Sequence, residues 1–452
     1  MYLHDTIAAI STASGVAAVA IVRVSGADAV QVAERVFRGR RPERWESHRL
    51  YPGRFVDPAG RVLDQGLGVL MRAPQSYTGE DVLELHGHGG VLLARRILGA
   101  ALAAGARAAH PGEFTLRAFL NGKLDLAQAE SVADLVAAPT DAAVDVALDH
   151  LAGALSRAVE SFRERAVAIA AHLEVAIDFS EDDVGELDGA ALAADAEALA
   201  GELRALASTH DRGRILREGF RVAIVGKPNV GKSSVLNRLL QTDRAIVTPV
   251  PGTTRDVIEE AIDIEGLAIV VVDTAGIRAG AEEVETIGIE RTREQIRIAD
   301  LVLVVLDNGR RWDAEDGEVL SATRHKNHIL LINKDDLTRK LALPACATGV
   351  TSVRSSALTG AGIERLRSAI VSAAGFANRG DTLTITRERH RHVLEAAALA
   401  LDRAGEALRI GHPPDVVAVD ILGALHHLGE IVGRTSPEAV LDRIFSEFCI
   451  GK

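Results

Sequence analysis

A glycine-rich segment at residues 226–233, Gly-Lys-Pro-Asn-Val-Gly-Lys-Ser, separates an apolar run that predicts a buried strand from a run with helical spacing. Two glycines in such a loop let successive backbone N–H groups turn inward, and the start of the following helix favours negative charge. Lys232 would then reach the β- and γ-phosphates of a nucleotide, and the Ser233 hydroxyl would bind Mg²⁺. The segment therefore predicts a phosphate-binding loop. Its candidate contacts are Asn229, Val230, Gly231, Lys232, Ser233 and Ser234.

Two further segments expected at a magnesium–nucleotide site follow in chain order. One of Thr253 and Thr254, in PGTTRD, is expected to complete the Mg²⁺ coordination when a γ-phosphate is present. The segment IEEAIDIEGLAIVVVDTAG predicts a hairpin that turns at 265–266 and leads to Asp273 at the end of a strand. Asp273 would hold Mg²⁺ through water, and the Gly276 N–H would meet the γ-phosphate. The candidate contacts here are Asp273, Thr274, Ala275 and Gly276.

The next segments concern the base. HILLINKDD places Asn333, Lys334 and Asp336 after another apolar strand. Guanine has two hydrogen-bond donors, N1–H and the 2-amino group, and the Asp336 carboxylate can accept from both together. Adenine has neither donor. The later segment VRSSALTGAGI is expected to close over the base, and the order of these segments predicts GTP rather than ATP. The contacts expected from that segment are Ser356, Ala357 and Leu358.

These residues alone do not identify the groups that orient the attacking water and supply positive charge during hydrolysis. Small GTPases often carry a water-orienting Gln after Asp-x-x-Gly, but Ile277 occupies that position and cannot orient water. Asn229 could ligate a monovalent cation, which would bring positive charge close to the transition state. Glu285, in the acidic stretch AGAEEVETIG, could orient water, although its setting by itself favours a solvated carboxylate.

Composition predicts a soluble, cytoplasmic chain of several domains. A length of 452 residues suggests two to four domains, and 47% hydrophobic with only 3% aromatic residues suits helical packing and parallel sheet. Two cysteines, Cys346 and Cys449, cannot build a disulfide framework, which indicates a reducing compartment. We expect neither a secretory signal nor a membrane span. The net charge of −12 argues against nonspecific nucleic-acid binding, but a local basic face for structured RNA stays open.

The texture of the sequence changes along the chain. Residues 1–118 alternate short β-like runs with Gly/Pro turns, which predicts an α+β domain. Helical spacing of Ala and Leu fills 119–214 and returns at 379–452, whereas 215–378 alternates strands and helices. We predict a multidomain fold with an N-terminal α+β domain, a discontinuous α-helical domain and an inserted Ras-like α/β P-loop GTPase domain, because insertions require chain ends that lie close together.

Motifs in every predicted domain carry a family resemblance. They are GVAAVAIVRVSG, SYTGEDVLELHGHGG and PGEFTLRAFLNGKLDLAQAE, the segments GKPNVGKSS, VTPVPGTTRD, DTAGIR and NKDD, and the terminal FCIGK. Through them the chain resembles, from end to end, the tRNA modification GTPase family known as MnmE or TrmE. It departs from the family pattern in ISTASGVAAVA, where members often have Pro and Gly-Arg-Gly.

The resemblance implies a potassium-stimulated GTPase that yields GDP and phosphate. In the family a K⁺ ion takes the place of an arginine finger, and the site closes when two GTPase domains pair. Glu285 matches the catalytic glutamate. The implied metal ligands are Asn229, Thr248, Val250 and Thr253 for K⁺, with Ser233 and Thr254 for Mg²⁺.

The resemblance also implies a folate site in the N-terminal domain, for a tetrahydrofolate one-carbon derivative of the 5-formyl or methylene type. Its implied contacts are Arg23, Glu80, Lys123 and Lys452. A lone cysteine such as Cys449, read as part of an apolar helix, ordinarily packs in a core. The terminal motif instead suggests a place at the one-carbon site, and both interpretations stay open.

The family's reaction supplies the remaining expectations. With an FAD-dependent partner protein of the MnmG (GidA) type, as a hetero-oligomer, it adds an aminomethyl-type (carboxymethylaminomethyl) group to C5 of the wobble uridine (U34) of certain tRNAs. A homodimer through the N-terminal domain, with transient pairing of GTPase domains, is also implied. The alternative is a ribosome-assembly or RNA-binding GTPase switch without a covalent product, which would not need the TGEDVLELHGHGG and CIGK segments.

Overall fold

The computed structural model describes the chain in two compact units. Among the helices it describes, none is long and apolar enough to cross a lipid bilayer. The first unit comprises Met1–Ala133, His150–Glu164 and Leu425–Lys452, and the second comprises Asp134–Asp149 and Arg165–Ala424. The described residues are 5–39, 45–178, 188–242, 244–246, 260–272, 293–375, 383–435 and 437–451.

Seven strands form the sheet of the first unit. They are β1 (Ile7–Ile10), β2 (Val19–Ser25), β3 (Phe37–Gly39), β4 (Arg49–Val56), β5 (Val62–Met71), β6 (Val82–His88) and β7 (Arg107–Ala108). Their order across the sheet is β3-β4-β5-β6-β2-β1-β7. All neighbours are antiparallel except β1 and β7, which are parallel.

Alternation along β2 gives this sheet one packed face. Val22 and Val24 are fully buried and belong to one core cluster with Val32 and Ile97, which lie on helices α1 (Ala29–Val36) and α2 (Val91–Ala103). Because successive side chains of a strand point to opposite faces, Arg23 lies on the other face of the sheet. The short β-like runs predicted within residues 1–118 are thereby confirmed, with β2, β5 and β6 among them.

Helices occupy most of the remaining described chain. They are α3 (Glu113–Leu120), α4 (Leu126–Ala137), α5 (Asp141–Leu151), α6 (Ala154–Asp178), α7 (Gly189–Ala207), α8 (His210–Glu218), α9 (Lys232–Thr242), α10 (Ala314–Thr323), α11 (Ile363–Ala373), α12 (Glu388–Arg409), α13 (Pro414–Val432) and α14 (Glu438–Ser446). Helices α7 and α12 pack against each other. Their buried alanines, such as Ala196 and Ala397, leave little side chain between the two backbones.

The second unit contains another seven-stranded sheet. Its strands are β8 (Phe220–Val225), β9 (Arg244–Ile246), β10 (Glu260–Ile264), β11 (Leu267–Val271), β12 (Leu301–Asp307), β13 (His328–Asn333) and β14 (Ser352–Arg354). The order is β14-β13-β12-β8-β11-β10-β9. The first five strands in that order are parallel, and β10 is antiparallel to both of its neighbours. The predicted hairpin turn is confirmed, with positive φ values of 56° at Glu265 and 84° at Gly266.

Strand β12 is buried along its whole length, on both faces of this parallel sheet. All seven of its residues are buried, as expected where helices cover both sides of a parallel sheet. Its side chains alternate between two core clusters: Leu303 belongs to one, and Val304 to the other. The multidomain fold class predicted from the sequence is confirmed, and the boundaries near 118, 214 and 378 stay predictions.

Candidate nucleotide-binding site

The loop between β8 and α9 has positive φ values at three residues. The φ values are 149° at Gly226, 65° at Asn229 and 98° at Gly231. A Cβ at Gly226 would lie 2.5 Å from the carbonyl oxygen of Val305, and one at Gly231 would lie 2.3 Å from Nδ2 of Asn333. Both positions therefore need glycine, for conformation and for space. Asparagine tolerates the left-handed region better than most residues, and the Asn229 residue is exposed.

Lys232 begins α9 and its ammonium group lies against the loop. Nζ donates hydrogen bonds to the carbonyl oxygens of Gly226, at 2.7 Å, and Lys227, at 2.8 Å. Burial lowers the pKa of Lys232, because the charged form loses hydration. Phosphate oxygens are a natural partner for such an ammonium group. Ser233 is half-buried at the same helix start, the position expected of a Mg²⁺ ligand.

Asn333 ends β13 and joins two segments of the site. The residue is 2% exposed. Its Nδ2 donates to the Val230 carbonyl at 2.9 Å, and its Oδ1 accepts from the Ala357 N–H at 3.0 Å. Since both ends of the buried amide are hydrogen-bonded, Asn333 fixes the phosphate loop against the segment 356–358.

Lys334 makes a second connection to the phosphate loop. Its Nζ donates to the Asn229 carbonyl at 2.8 Å and to the Asp307 carboxylate at 2.7 Å. Burial raises the pKa of Asp307, but the hydrogen bonds from Lys334 and the Gly309 N–H outweigh it, so that the pKa lies below its ordinary value. The ionised Asp307 ends β12, next to β13 in the sheet. These groups meet at the carboxyl ends of parallel strands, where open α/β sheets bind ligands.

The segment 356–358 is held against Asp336 and α9. Ser356 Oγ donates to the Asp336 carboxylate at 2.5 Å. Arg238, on α9, donates to the carbonyl oxygens of Ala357 at 2.9 Å and Leu358 at 2.5 Å. The Leu358 residue is 78% exposed. The two sequence segments assigned to the base therefore lie together, with the carboxylate and an exposed apolar side chain nearby.

The described part of the site unites residues 229–234, 333–336 and 356–358, as the order of motifs predicted. Roles assigned to the other predicted residues stay predictions, because those residues lie outside the described ranges. They are Thr248, Val250, Thr253, Thr254, Asp273, Thr274, Ala275, Gly276, Ile277, Glu285 and Lys452.

Three supporting residues were missed from the sequence. Asp307 follows an apolar strand, a signal that could have identified it. Arg238 carried no comparable signal, since its acceptors are backbone carbonyls far along the chain. Lys227 makes ion pairs with Asp313 at 2.5 Å and Asp316 at 2.9 Å, at the start of α10, where Asp313 also caps the helix. Lys227 thus connects the phosphate loop to the start of α10.

The residues predicted to bind folate lie in the first unit. The Arg23 guanidinium lies 5.4 Å from the ring centroid of Tyr77 and 5.7 Å from that of Phe114, and its Nε donates to Glu84 at 2.9 Å. A cation over aromatic faces is held by the ring quadrupole. Phe114 is fully buried, so the partly exposed Arg23 guanidinium and the Tyr77 ring provide the surface on which a flat ring can stack.

Glu80 lies in the turn between β5 and β6, and Lys123 lies just beyond α3. The Glu80 carboxylate accepts from Ser25 Oγ at 2.7 Å and from the buried Arg117 at 3.2 Å. The Lys123 Nζ donates to the Pro74 carbonyl at 3.1 Å. The carboxylate is thus fixed in position by a buried cation. Three of the four predicted folate contacts are described, and each lies on β2, in this turn or just beyond α3.

Cys449 is exposed, so the interpretation as a packed core residue is wrong. The physical reason is that α14 ends at Ser446 and the chain then turns away, forming a β-bridge between Ile450 and Pro111. A role at the one-carbon site stays a prediction.

A glycine loop at a parallel strand, with an Asn-Lys-x-Asp segment at the edge of the same sheet, defines a phosphate-loop GTPase domain. The family model described as "GTP-binding protein TrmE N-terminus" matches residues 6–123, and the model "MnmE helical domain" matches residues 126–449. The chain belongs to the tRNA modification GTPase MnmE family.

Curated relatives agree with this membership over their whole length. Proteins called tRNA modification GTPase MnmE from Syntrophotalea carbinolica and Geobacter sulfurreducens are each 46% identical over 457 residues, covering 100% of both chains. The relative of the same name from Geobacillus thermodenitrificans is 44% identical over 458 residues, covering 99% of both chains.

Proposed function

We propose that this chain hydrolyses GTP and that the hydrolysis serves the modification of tRNA. The observation that carries the GTPase part is the joint position of Asp336 and the phosphate loop. Asn333 bonds to both the loop and Ala357, and Ser356 bonds to Asp336. A nucleotide with its phosphates on the loop would therefore present its base to a carboxylate suited to guanine. Family membership supports the tRNA part.

The proposed metal ions are Mg²⁺ and K⁺. Ser233, at the start of α9, fits a Mg²⁺ ligand in residue type and place, and Thr254 would be a second. Asn229, exposed and held through its carbonyl by Lys334, fits a K⁺ ligand that would act with Thr248, Val250 and Thr253. The two ions would neutralise charge on the phosphates during hydrolysis. Glu285 would orient the attacking water.

Potassium is expected to raise GTP turnover about tenfold or more over sodium, because correctly placed positive charge stabilises the transition state. Asn229→Gly should abolish that difference, and glycine tolerates the positive φ of this position, so that the loop keeps its conformation. Phosphate release in matched chloride salts measures both. Asn237→Ala, an exposed asparagine on α9, is the control and should keep the potassium effect. Equal rates of the wild-type protein in the two salts would contradict the proposed K⁺ site.

We also propose a folate-type one-carbon donor in the N-terminal domain, bound by Arg23, Glu80 and Lys123 with Lys452. The reduced pterin ring carries a 2-amino group beside a ring N–H, a donor pair that a fixed carboxylate such as Glu80 can accept. The partly exposed Arg23 guanidinium, held over the Tyr77 ring, supports stacking of the pterin ring. When bound, the donor would supply the one-carbon unit, and Cys449 would lie near it.

In the proposed reaction the chain acts with an FAD-dependent partner protein of the MnmG type. Together they would add a carboxymethylaminomethyl-type group to C5 of the wobble uridine of certain tRNAs. A homodimer through the N-terminal domain, with GTPase domains that pair during hydrolysis, completes the proposal. Its support is the full-length similarity to the MnmE family.

Mass spectrometry of nucleosides from bulk tRNA tests the modification. Cells that lack this protein should lose the C5-aminomethyl-type uridine, and the gene supplied in trans should restore it. A variant with Asp336→Asn should not restore it. An unchanged uridine pattern in the deletion strain would instead support the alternative of a ribosome-assembly GTPase.

A further inference from the structure

A cavity of about 540 Å³ opens in the first unit, and Lys123, one of the predicted folate contacts, lines it. Its lining comes from the connection between α3 and α4 with the adjoining helix ends, the first two turns of α6 and the residues at the end of α13. Gly433 has a φ of 84°, and a Cβ there would lie 2.6 Å from the Phe119 ring. The wall of the cavity thus depends on a glycine that lets the chain pass close to an aromatic side chain.

The charged side chains that line this cavity differ in the partners they have. Glu160 accepts from Arg163 at 3.0 Å and from Arg434 at 3.0 Å. Asp125 accepts from the Gln128 N–H at 2.9 Å, at the start of α4. Glu160 therefore has cationic partners already, whereas in the described part of the chain Asp125 has only a backbone donor, so the three cations and two carboxylates of the lining leave a net positive charge.

The two other cations of the cavity have only backbone acceptors. Lys123 donates to the Pro74 carbonyl, and Arg157 donates to the Ala152 carbonyl at 2.7 Å. Within the described ranges neither forms an ion pair with a carboxylate. The Ser156 hydroxyl, also in the lining, is buried without a hydrogen-bond partner there. Two cations without ion-pair partners among the described residues and an unpaired hydroxyl, in a lining of net positive charge, favour an anionic ligand, and their separate positions suit one with more than one carboxylate.

Lys123 connects the cavity with the predicted folate site. A Cβ at Gly79 would lie 3.4 Å from the Lys123 Cγ and 3.6 Å from its Cδ, so the lysine stem runs along the turn that carries Glu80. The Asn121 side chain donates to the Thr78 carbonyl at 2.7 Å in the same turn. A ligand whose ring lies near Glu80 can therefore extend past Lys123 towards Arg157.

We infer that this cavity receives the oligo-γ-glutamate tail of a polyglutamylated folate, with Arg157 as a residue that selects for the tail. The inference rests on the proposed folate site. Folates end in a glutamate that can be extended through γ-linked glutamates, each adding a carboxylate. The repeated negative charge matches Lys123 and Arg157, and a carboxylate oxygen can accept from the Ser156 hydroxyl.

Equilibrium binding of 5-formyl-tetrahydrofolate to the full-length protein tests this inference, with one glutamate compared with five. The wild-type protein should bind the pentaglutamate roughly threefold to tenfold more tightly at low salt, the range expected of a few exposed ion pairs. The gain should fall towards onefold near 0.5 M salt, where screening is strong. Arg157→Gln should remove most of the gain without changing affinity for the monoglutamate.

Two matched variants separate charge from folding. Arg157→Lys keeps the cation and should keep the gain. Arg165→Gln removes an arginine on the same helix that pairs with Glu202 and does not line the cavity, so it too should keep the gain. Circular dichroism checks that each variant is folded.

The outcomes distinguish this inference from the proposed folate site. Monoglutamate binding without any gain from the tail would overturn the inference and leave the folate site standing. Absence of monoglutamate binding would overturn both. An oligouridylate that binds the wild-type protein but not Arg157→Gln, with no gain from the tail, would overturn the inference by assigning the cavity to RNA.

Discussion

Replacing Asp336 by Asn is expected to weaken GTP binding about a thousandfold, since a site built around a hydrogen-bonded polar group rejects a mismatched ligand strongly. The carboxylate accepts from both the N1–H and the 2-amino group of guanine. The Asn amide offers one acceptor and turns a donor toward one of those donors. Xanthosine triphosphate, with a carbonyl in place of the 2-amino group, should bind the variant more tightly than GTP. Competition against a fluorescent guanine nucleotide measures both affinities.

The neighbouring aspartate provides a matched control. Asp335 forms an ion pair with Arg354 at 2.8 Å, and both side chains are about one-third exposed. Such pairs contribute about 1 kcal/mol or less, so Asp335→Asn should change GTP affinity less than about fivefold. Equal losses in the two variants would show that the segment had become disordered, and an unchanged affinity in Asp336→Asn would remove this residue from the base site.

The nucleotide site could be predicted from sequence because its chemistry is carried by short contiguous motifs. The glycines of the phosphate loop must stand where φ is positive or where a backbone passes, as at Gly226 and Gly231. Strand ends bring such motifs to one edge of a parallel sheet. The order of the segments along the chain was therefore enough to predict that residues more than a hundred positions apart, such as Val230 and Asn333, lie in one site.

Contacts outside the motifs could not be predicted in this way. Arg238 bonds to backbone carbonyls of a distant segment, and any residue type supplies a carbonyl. The exposure of Cys449 depended on where α14 ends, and helix ends are poorly specified by apolar spacing alone. The cavity around Arg157 likewise joins three segments whose proximity follows from packing and leaves no local pattern.

The ion pairs of Arg117 could not be predicted from the sequence either, and replacing this residue has the largest expected effect on stability. The residue is 2% exposed, and its guanidinium pairs with Asp5 at 2.7 Å, Glu113 at 3.0 Å and Glu80 at 3.2 Å. Removing one partner of a buried ion pair costs about 3–5 kcal/mol. Because Asp5 and Glu113 keep Arg107 as a partner, Arg117→Met should destabilise the first unit by the lower end of that range, about 3 kcal/mol. Amide exchange in peptides from β1 and α3 should accelerate about a hundredfold or more, as tenfold corresponds to about 1.4 kcal/mol.

Arg107→Met is the control, because Arg107 pairs with two of the same carboxylates but its side chain is 31% exposed. It should accelerate exchange about tenfold or less, because the lost pairs are partly exposed at Arg107 and both carboxylates keep the buried Arg117 as a partner. Comparable acceleration in both variants would show that the burial of Arg117 is not what makes it costly to remove.

The pH dependence separates lost charge from lost packing. Burial raises the pKa values of Asp5 and Glu113, but hydrogen bonds from Arg107 and Arg117 outweigh it, so both lie below their ordinary values. Carboxyls with lowered folded-state pKa values stabilise the fold above their unfolded pKa values, and that contribution is lost as the pH falls through the folded values. The cost of Arg117→Met should therefore be full at pH 7 and should shrink below about pH 4. A cost independent of pH, after correction for intrinsic exchange rates, would identify lost packing as its cause.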